Sequence, residues 1–153
     1  MIGENDKGQT RSEFWLSRLY TFIKPTGVGN LQPVVKTIDL NQVSGTYLLF
    51  TGTDQDVTLE KLTFRMPNVD ISGGSLTSIS IHTDDFTPAV IFDTTDGILT
   101  NLTKEASLGW TGAVPIPVGT LLQLTIAGGS SGSACVCDIV AQYRANVSGG
   151  ILV

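Results

Sequence analysis

In Val57-Thr-Leu-Glu-Lys-Leu-Thr-Phe-Arg-Met66, Val57 and Leu59 stand on odd positions while Leu62, Phe64 and Met66 stand on even ones. Alternation with period two is the mark of a β-strand that turns one face to a core. A change of parity within one strand needs a residue that does not count, and a bulge or bend near Glu60-Lys61 supplies it. The stretch therefore reads as one strand of a β-sheet, with both halves facing the same core.

Similar runs flank it. Val34, Ile38 and Leu40 share a face in VVKTIDL, and TYLLF (46–50) follows. SLTSISIHT (75–83) sets Ile79 and Ile81 against Ser78, Ser80 and His82, and PAVIF (88–92) and ILTNL (98–102) read as short apolar strands. After Trp110 comes AVPIPV (113–118), whose two prolines confine it to an edge or an irregular crossing. In TLLQLTIAG, Leu122, Leu124 and Ile126 oppose Gln123 and Thr125, and ACVCDIVAQYR (134–144) is the last long strand. Between these two, GGSSGS (128–133) reads as a flexible loop. Strands at this spacing, with no α/β alternation, predict an all-β fold: an antiparallel, jelly-roll-like β-sandwich of about eight strands over residues 34–153.

Residues 1–33 have no place in that pattern and read as an N-terminal arm. Thr10-Arg-Ser-Glu13 has the spacing of a capping box, so a helix is expected at about 11–24, ended by Pro25 and Gly27. Leu16, Leu19, Tyr20 and Ile23 form one helical stripe, which Phe14, Trp15 and Phe22 broaden. A short helix this apolar needs a surface to cover it, so these seven residues are the candidate partner-binding group. Gly27 to Pro33 reads as a linker.

Charge divides at the same place. Residues 1–36 carry five basic and three acidic groups, and residues 37–153 carry four against eleven, so a weakly basic arm precedes an acidic body. An acidic body lacks the basic footprint that phosphate backbones require, which argues against nucleic acid as a partner. No run of about 18 apolar residues predicts a membrane span. MIGENDKGQTR has no apolar core followed by a cleavage site, so no secretion signal is expected. Two cysteines in such a chain agree with a reducing cytoplasm.

Candidate chemistry is sparse. Asp84, Asp85, Asp93 and Asp96 lie around the 75–83 and 88–92 strands, and a hairpin there could gather oxygen ligands for Ca²⁺. The same runs are ordinary turn sequences, because Asp caps turns through its side chain, and that reading is preferred; no metal or other cofactor is expected. His82 is the only histidine, so nucleophilic catalysis would have to pass through it, and no GxSxG elbow accompanies it. Cys135 and Cys137 point to one face with Ile139, Ala141 and Tyr143, as buried apolar thiols. Trp110 and Tyr47 could stack on a sugar, or simply fill the core. Nothing here assembles an active site, so the chain reads as non-enzymatic.

The arm, the Gly/Thr/Ser-rich sandwich, the segment Val114-Pro-Ile-Pro-Val-Gly-Thr-Leu-Leu-Gln-Leu-Thr-Ile126 and the closing Gln142-Tyr-Arg144 resemble the small jelly-roll virion proteins of tailed bacteriophages. That group comprises capsid decoration proteins, head-fibre bases and tail components. The resemblance implies a structural protein of the virion, made in the host cytoplasm. It implies a homo-oligomer, a trimer first of all, attached to the major capsid protein or another virion protein. It carries over no residue-level site. The alternative is a sandwich that binds a carbohydrate or a host receptor through an aromatic platform or a Ca²⁺ site.

Overall fold

The computed structural model describes residues 29–153, so the arm helix expected at 11–24 and its seven apolar residues lie outside the described residues. Nine strands follow one another: β1 (Leu31–Asp39), β2 (Gly45–Thr53), β3 (Val57–Arg65), β4 (Ser78–Thr83), β5 (Val90–Phe92), β6 (Ser107–Ile116), β7 (Leu121–Ala127), β8 (Val136–Ala145) and β9 (Ile151–Leu152). They form two antiparallel sheets, ordered β1-β8-β3-β6 and β5-β4-β7-β2-β9.

The pairing is nested. β1 pairs with β8, β2 with β7, β3 with β6 and β4 with β5, as if one long hairpin had been rolled up. Rolling adds the pairs β3–β8 and β4–β7, which close each sheet. This is the jelly-roll arrangement, an all-β solution in which two sheets bury their inner faces against each other.

β3 shows how the sequence enforces it. Leu59 lies opposite Tyr143 and Lys61 opposite Gln142, so Glu60 has no partner on β8. The register shift restores the apolar face: Val57, Leu59, Leu62, Phe64 and Met66 are all buried. Across the inner face the rows are then Val34–Ala141–Leu62–Trp110 and Lys36–Ile139–Phe64–Leu108. The opposite sheet answers with Phe50, Ile79, Ile81, Leu122, Leu124 and Ile126, all buried. Full burial of each such side chain contributes about 1.5–3 kcal/mol.

Several boundaries differ from the sequence reading. Leu31, Gln32 and Pro33, read as linker, belong to β1, because they continue its ladder opposite Arg144, Tyr143 and Gln142. The expected strand at 98–102 is instead a 3₁₀ turn, Leu99–Asn101; only Ile98 bridges to Ser78, and Leu102 alone turns into the core. Trp110 lies within β6, which starts at Ser107. The 128–133 loop is held rather than free: Ser130 O accepts from the N–H groups of Ser75 and Leu76, and the Ser131 N–H donates to Leu40 O. Gly132 makes that contact possible, since at φ +81 an added Cβ would lie 2.4 Å from Gly74 N.

The end strands of both sheets are guarded, although β9 covers β2 only at Thr51–Thr53 and leaves the flank of Gly45–Phe50 open among the described residues. β1 carries Pro33 and sets Lys36 on its inward parity, β6 carries Pro115, and the other two edges, β5 and β9, have 3 and 2 residues. Proline, inward charge and shortness all disfavour strand addition from another chain.

Deleting Glu60 removes the bulge and turns either Val57 and Leu59 or Leu62, Phe64 and Met66 outward, so no cooperative unfolding transition is expected by calorimetry. Phe64→Ala should cost about 3–5 kcal/mol in denaturant unfolding. Thr63→Ala, on the outer face, should stay within about 0.5 kcal/mol.

Candidate interaction site

Alternating strand direction sends the loops to two ends. At one lie the β1–β2, β3–β4, β5–β6 and β7–β8 connections; at the other lie the β2–β3, β4–β5 and β6–β7 connections, residues 146–150, and Gly29, where the arm joins. Hydrogen bonds stitch this second end together. The Asn146 N–H donates to Asp56 O, and the Val118 N–H to Asp56 Oδ1 at 3.0 Å. Leu121 N–H donates to Asp84 Oδ1 at 2.7 Å, and Thr120 Oγ1 donates to Asp85 Oδ1 at 3.3 Å.

The four candidate Ca²⁺ ligands are thus divided. Asp84 and Asp85 tie the β4–β5 loop to the start of β7. Asp93 and Asp96 come together in a turn, where Asp93 Oδ1 accepts from the Thr95 and Asp96 N–H groups at 2.7 and 2.8 Å. Asp96 Oδ2 accepts from the Asp93 N–H at 3.3 Å. Among the described residues no three histidine, cysteine or carboxylate groups stand close enough to share a metal ion.

His82 lies on the outer face of the five-stranded sheet, since its neighbours Ile81 and Thr83 are buried. Its Nδ1 lies 3.1 Å from Thr83 O, which can only accept, so Nδ1 carries the proton. Nε2 lies 3.0 Å from Thr125 Oγ1, which in turn lies 3.0 Å from Thr46 Oγ1. Both ring nitrogens are used, in a polar ladder that joins β4, β7 and β2.

Cys135 and Cys137 are fully buried, with Sγ atoms 3.9 Å apart, and Cys137 Sγ lies 3.6 Å from Met66 Sδ. Burial pushes both thiols above their ordinary value of 9.0, and each carries further upward pressure from Asp39. The thiolate is the reactive form, so these groups serve the core rather than chemistry.

Two open hollows lie beside β5. One, about 370 Å³, is lined by His82, Pro88, Val90 and Phe92 with Asp93 at its rim. The other, about 260 Å³, lies between β5 and β6 and is lined by Trp110, Asp96, Asn101 and Ser107. Trp110 lies over Gly112, where an added Cβ would stand 2.5 Å from the indole. Tyr47 is part-buried, and its hydroxyl donates to Val43 O at 2.6 Å.

Exposed apolar groups stand at both ends: Val43, in the β1–β2 loop, is 78% exposed, and three more lie at the arm's end of the sandwich. Phe86, at the tip of the β4–β5 loop, is 105% exposed, and Val118 and Val147 are more than half exposed. Asp84 and Asp85 precede Phe86 in its loop, Asp56 accepts from the Val118 N–H, and Asp54 lies in the same β2–β3 connection as Asp56. Among the described residues the cation at this end is Arg144, which pairs with Glu60 at 2.5 Å and donates to Gly29 O. Neither composition nor periodicity could reveal this patch, because it is assembled from three loops distant in sequence.

No protein-family model matches the chain, and no curated protein matches it. Solved structures do. A chain in the acid-stable capsid structure of Helicobacter pylori bacteriophage KHP30 aligns with TM-score 0.55 at 10% identity, covering 82% of this chain and 94% of that one. A chain of the cyanophage Pam1 capsid gives 0.53 at 10% identity, covering 77% and 86%. A chain of the Ralstonia phage GP4 capsid gives 0.52 at 10%, covering 79% and 88%. At such identities the likeness shows the fold, a jelly roll of the same extent.

The native protein should leave both thiols unmodified by a thiol reagent at pH 8, and release two equivalents once denatured. Since the folded state holds them protonated beyond the pH at which the unfolded chain ionises, their contribution to stability is complete below about pH 9 and declines above it. Cys137→Ala should flatten that alkaline decline in a melting-temperature series.

Proposed function

We propose that this chain is a non-enzymatic structural protein of a tailed-phage virion. In this reading it attaches to the capsid, or to the tail, through its N-terminal arm and assembles with its own copies, a trimer being the expected state. The observation that carries the reading is the nested jelly-roll pairing, shared over most of both chains with three phage capsid chains. Three features support it. The end strands β1, β6, β5 and β9 are guarded by proline or shortness, which disfavours strand addition there and favours association through faces, loop ends or the arm. The carboxylates cap turns, and the histidine and thiols are engaged in packing and ladders. The seven large apolar residues of the arm require a covering surface.

A second reading, saccharide binding, is favoured by one observation: the indole of Trp110 lines a hollow beside Asp96 and Asn101. Aromatic faces take the C–H face of a pyranose, and planar polar side chains take its hydroxyls.

Deleting residues 1–24 should leave a cooperative unfolding transition but abolish both co-sedimentation with capsids assembled without this protein and oligomer formation. Loss of folding would instead give the arm to the domain's own core. Trp110→Ala should leave capsid binding intact, and glycan-array silence of the full chain would remove the second reading.

A further inference from the structure

Of the surfaces on this molecule, the arm's end of the sandwich is the one whose missing occupant the chain itself supplies. We propose that this end, with Phe86, Val118 and Val147 framed by Asp54, Asp56 and Asp85, receives the Thr10–Lys24 segment of a second copy. The inference rests on the self-assembly part of the proposed function and names the surface that the arm takes.

Three observations carry it. The first is chemistry. Thr10–Lys24 carries Arg11, Arg18 and Lys24 against Glu13, around a stripe of large apolar residues. The receiving end carries the opposite arrangement: apolar tips beside carboxylates, and its one cation among the described residues, Arg144, is spent on Glu60 and Gly29. Apolar contact framed by opposite charges gives affinity at the centre and register at the rim. The second is place and length. The described chain begins at Gly29, at this same end, with 28 residues before it. As a helix Thr10–Lys24 would extend about 22 Å, enough to span several loops. The third is the tether. Four residues, Pro25 to Val28, reach about 14 Å when extended. Pro25 cannot continue the helix and biases Lys24 to extended backbone. A tether this short, leaving an extended Lys24, favours sending the segment outward, to a neighbour, over folding it back across the end it leaves. A contact of this kind is head-to-tail, and it closes into a ring when the rotation between copies allows.

Gln32, near the root of the arm, fits the same picture. It is 6% exposed, Tyr143 Oη donates to its Oε1 at 3.5 Å, and its Nε2 has no partner among the described residues. A buried amide donor calls for an acceptor, and an incoming chain supplies one.

The full-length protein is tested in two ways. Native mass is measured across concentration and salt for the wild type, Phe86→Asp and Asp54→Asn. Phe86→Asp should raise the concentration for half-assembly by at least about tenfold with an unchanged melting temperature. Raising salt should weaken wild-type assembly, and Asp54→Asn should weaken that salt dependence. Separately, chains carrying only Arg18→Cys are mixed with chains carrying only Asp54→Cys and treated with a short bismaleimide; the buried native thiols stay silent. A covalent pair of double mass is the expected product of the mixture and not of either single-cysteine chain treated alone, since only contact between position 18 of one copy and position 54 of another can form it.

An unchanged mass for Phe86→Asp overturns the inference, as does a wild type that is monomeric at every concentration. So does a mixture that yields no more pair than the single-cysteine chains treated alone. A wild type that stays monomeric yet sediments with capsids leaves the virion role standing and removes only this surface. Loss of sedimentation by Phe86→Asp with full assembly gives the patch to a different virion protein, and likewise overturns the inference.

Discussion

Glu60 is one residue more than β8 can pair, and the four-stranded sheet depends on it. Without a skipped position, a strand of Val57, Leu59, Leu62, Phe64 and Met66 would present apolar groups to both faces. With it, all five reach the core, and each row across the sheet finds its neighbours on β8 and β6. The bulge costs a local break in the ladder. The burial it recovers is worth several kcal/mol, so packing wins over regular hydrogen bonding at this point. On the outer side Glu60 then meets Arg144 at 2.5 Å, a part-exposed pair that contributes about 0–1 kcal/mol and mainly fixes where Arg144 points.

From that strand outward the nested pairing sets what the surface can be used for. β3 holds β8 and β6, β8 holds β1, and the other sheet repeats the scheme around β7. The end strands are blunted by proline, by an inward lysine or by shortness, which disfavours backbone pairing there. What stays available is the flank of β2 that β9 does not reach, Gly45–Phe50, and side-chain surface at the loop ends. One end is tied by Leu40, Ser130 and Ser131 and exposes Val43; the other presents Phe86, Val118 and Val147. Gly29, where the described chain begins, lies at the second end, the end that carries Phe86.

Legibility followed sequence distance. The parity change in β3 was readable because it lies within ten residues, and so was the shared face of Cys135 and Cys137. The turn at Leu99–Asn101 was not, because ILTNL has strand-like composition and only the missing neighbour on either side makes it a turn. GGSSGS reads as a free loop on its own and is a fixed one only because Leu40, Ser75 and Leu76 arrive beside it. Asp84, Asp85, Asp93 and Asp96 look like a possible ligand set in one dimension. In three, their oxygens go to separate backbone groups and a threonine hydroxyl, the use that turn chemistry assigns to aspartate.

The sequence by itself determined the all-β class, the bulge and the buried thiols. Each of these depends on periodicity or on neighbours a few residues apart, which composition and spacing record directly. Only the tertiary structure decided the strand order, which edges stay open, the two lateral hollows and the acidic apolar end. Those are properties of groups brought together from segments 30 to 90 residues apart, as with Asp56 and Asn146 or Asp84 and Leu121. Local pattern can say that such residues face outward, but only the rolled-up pairing of the strands says what they face together.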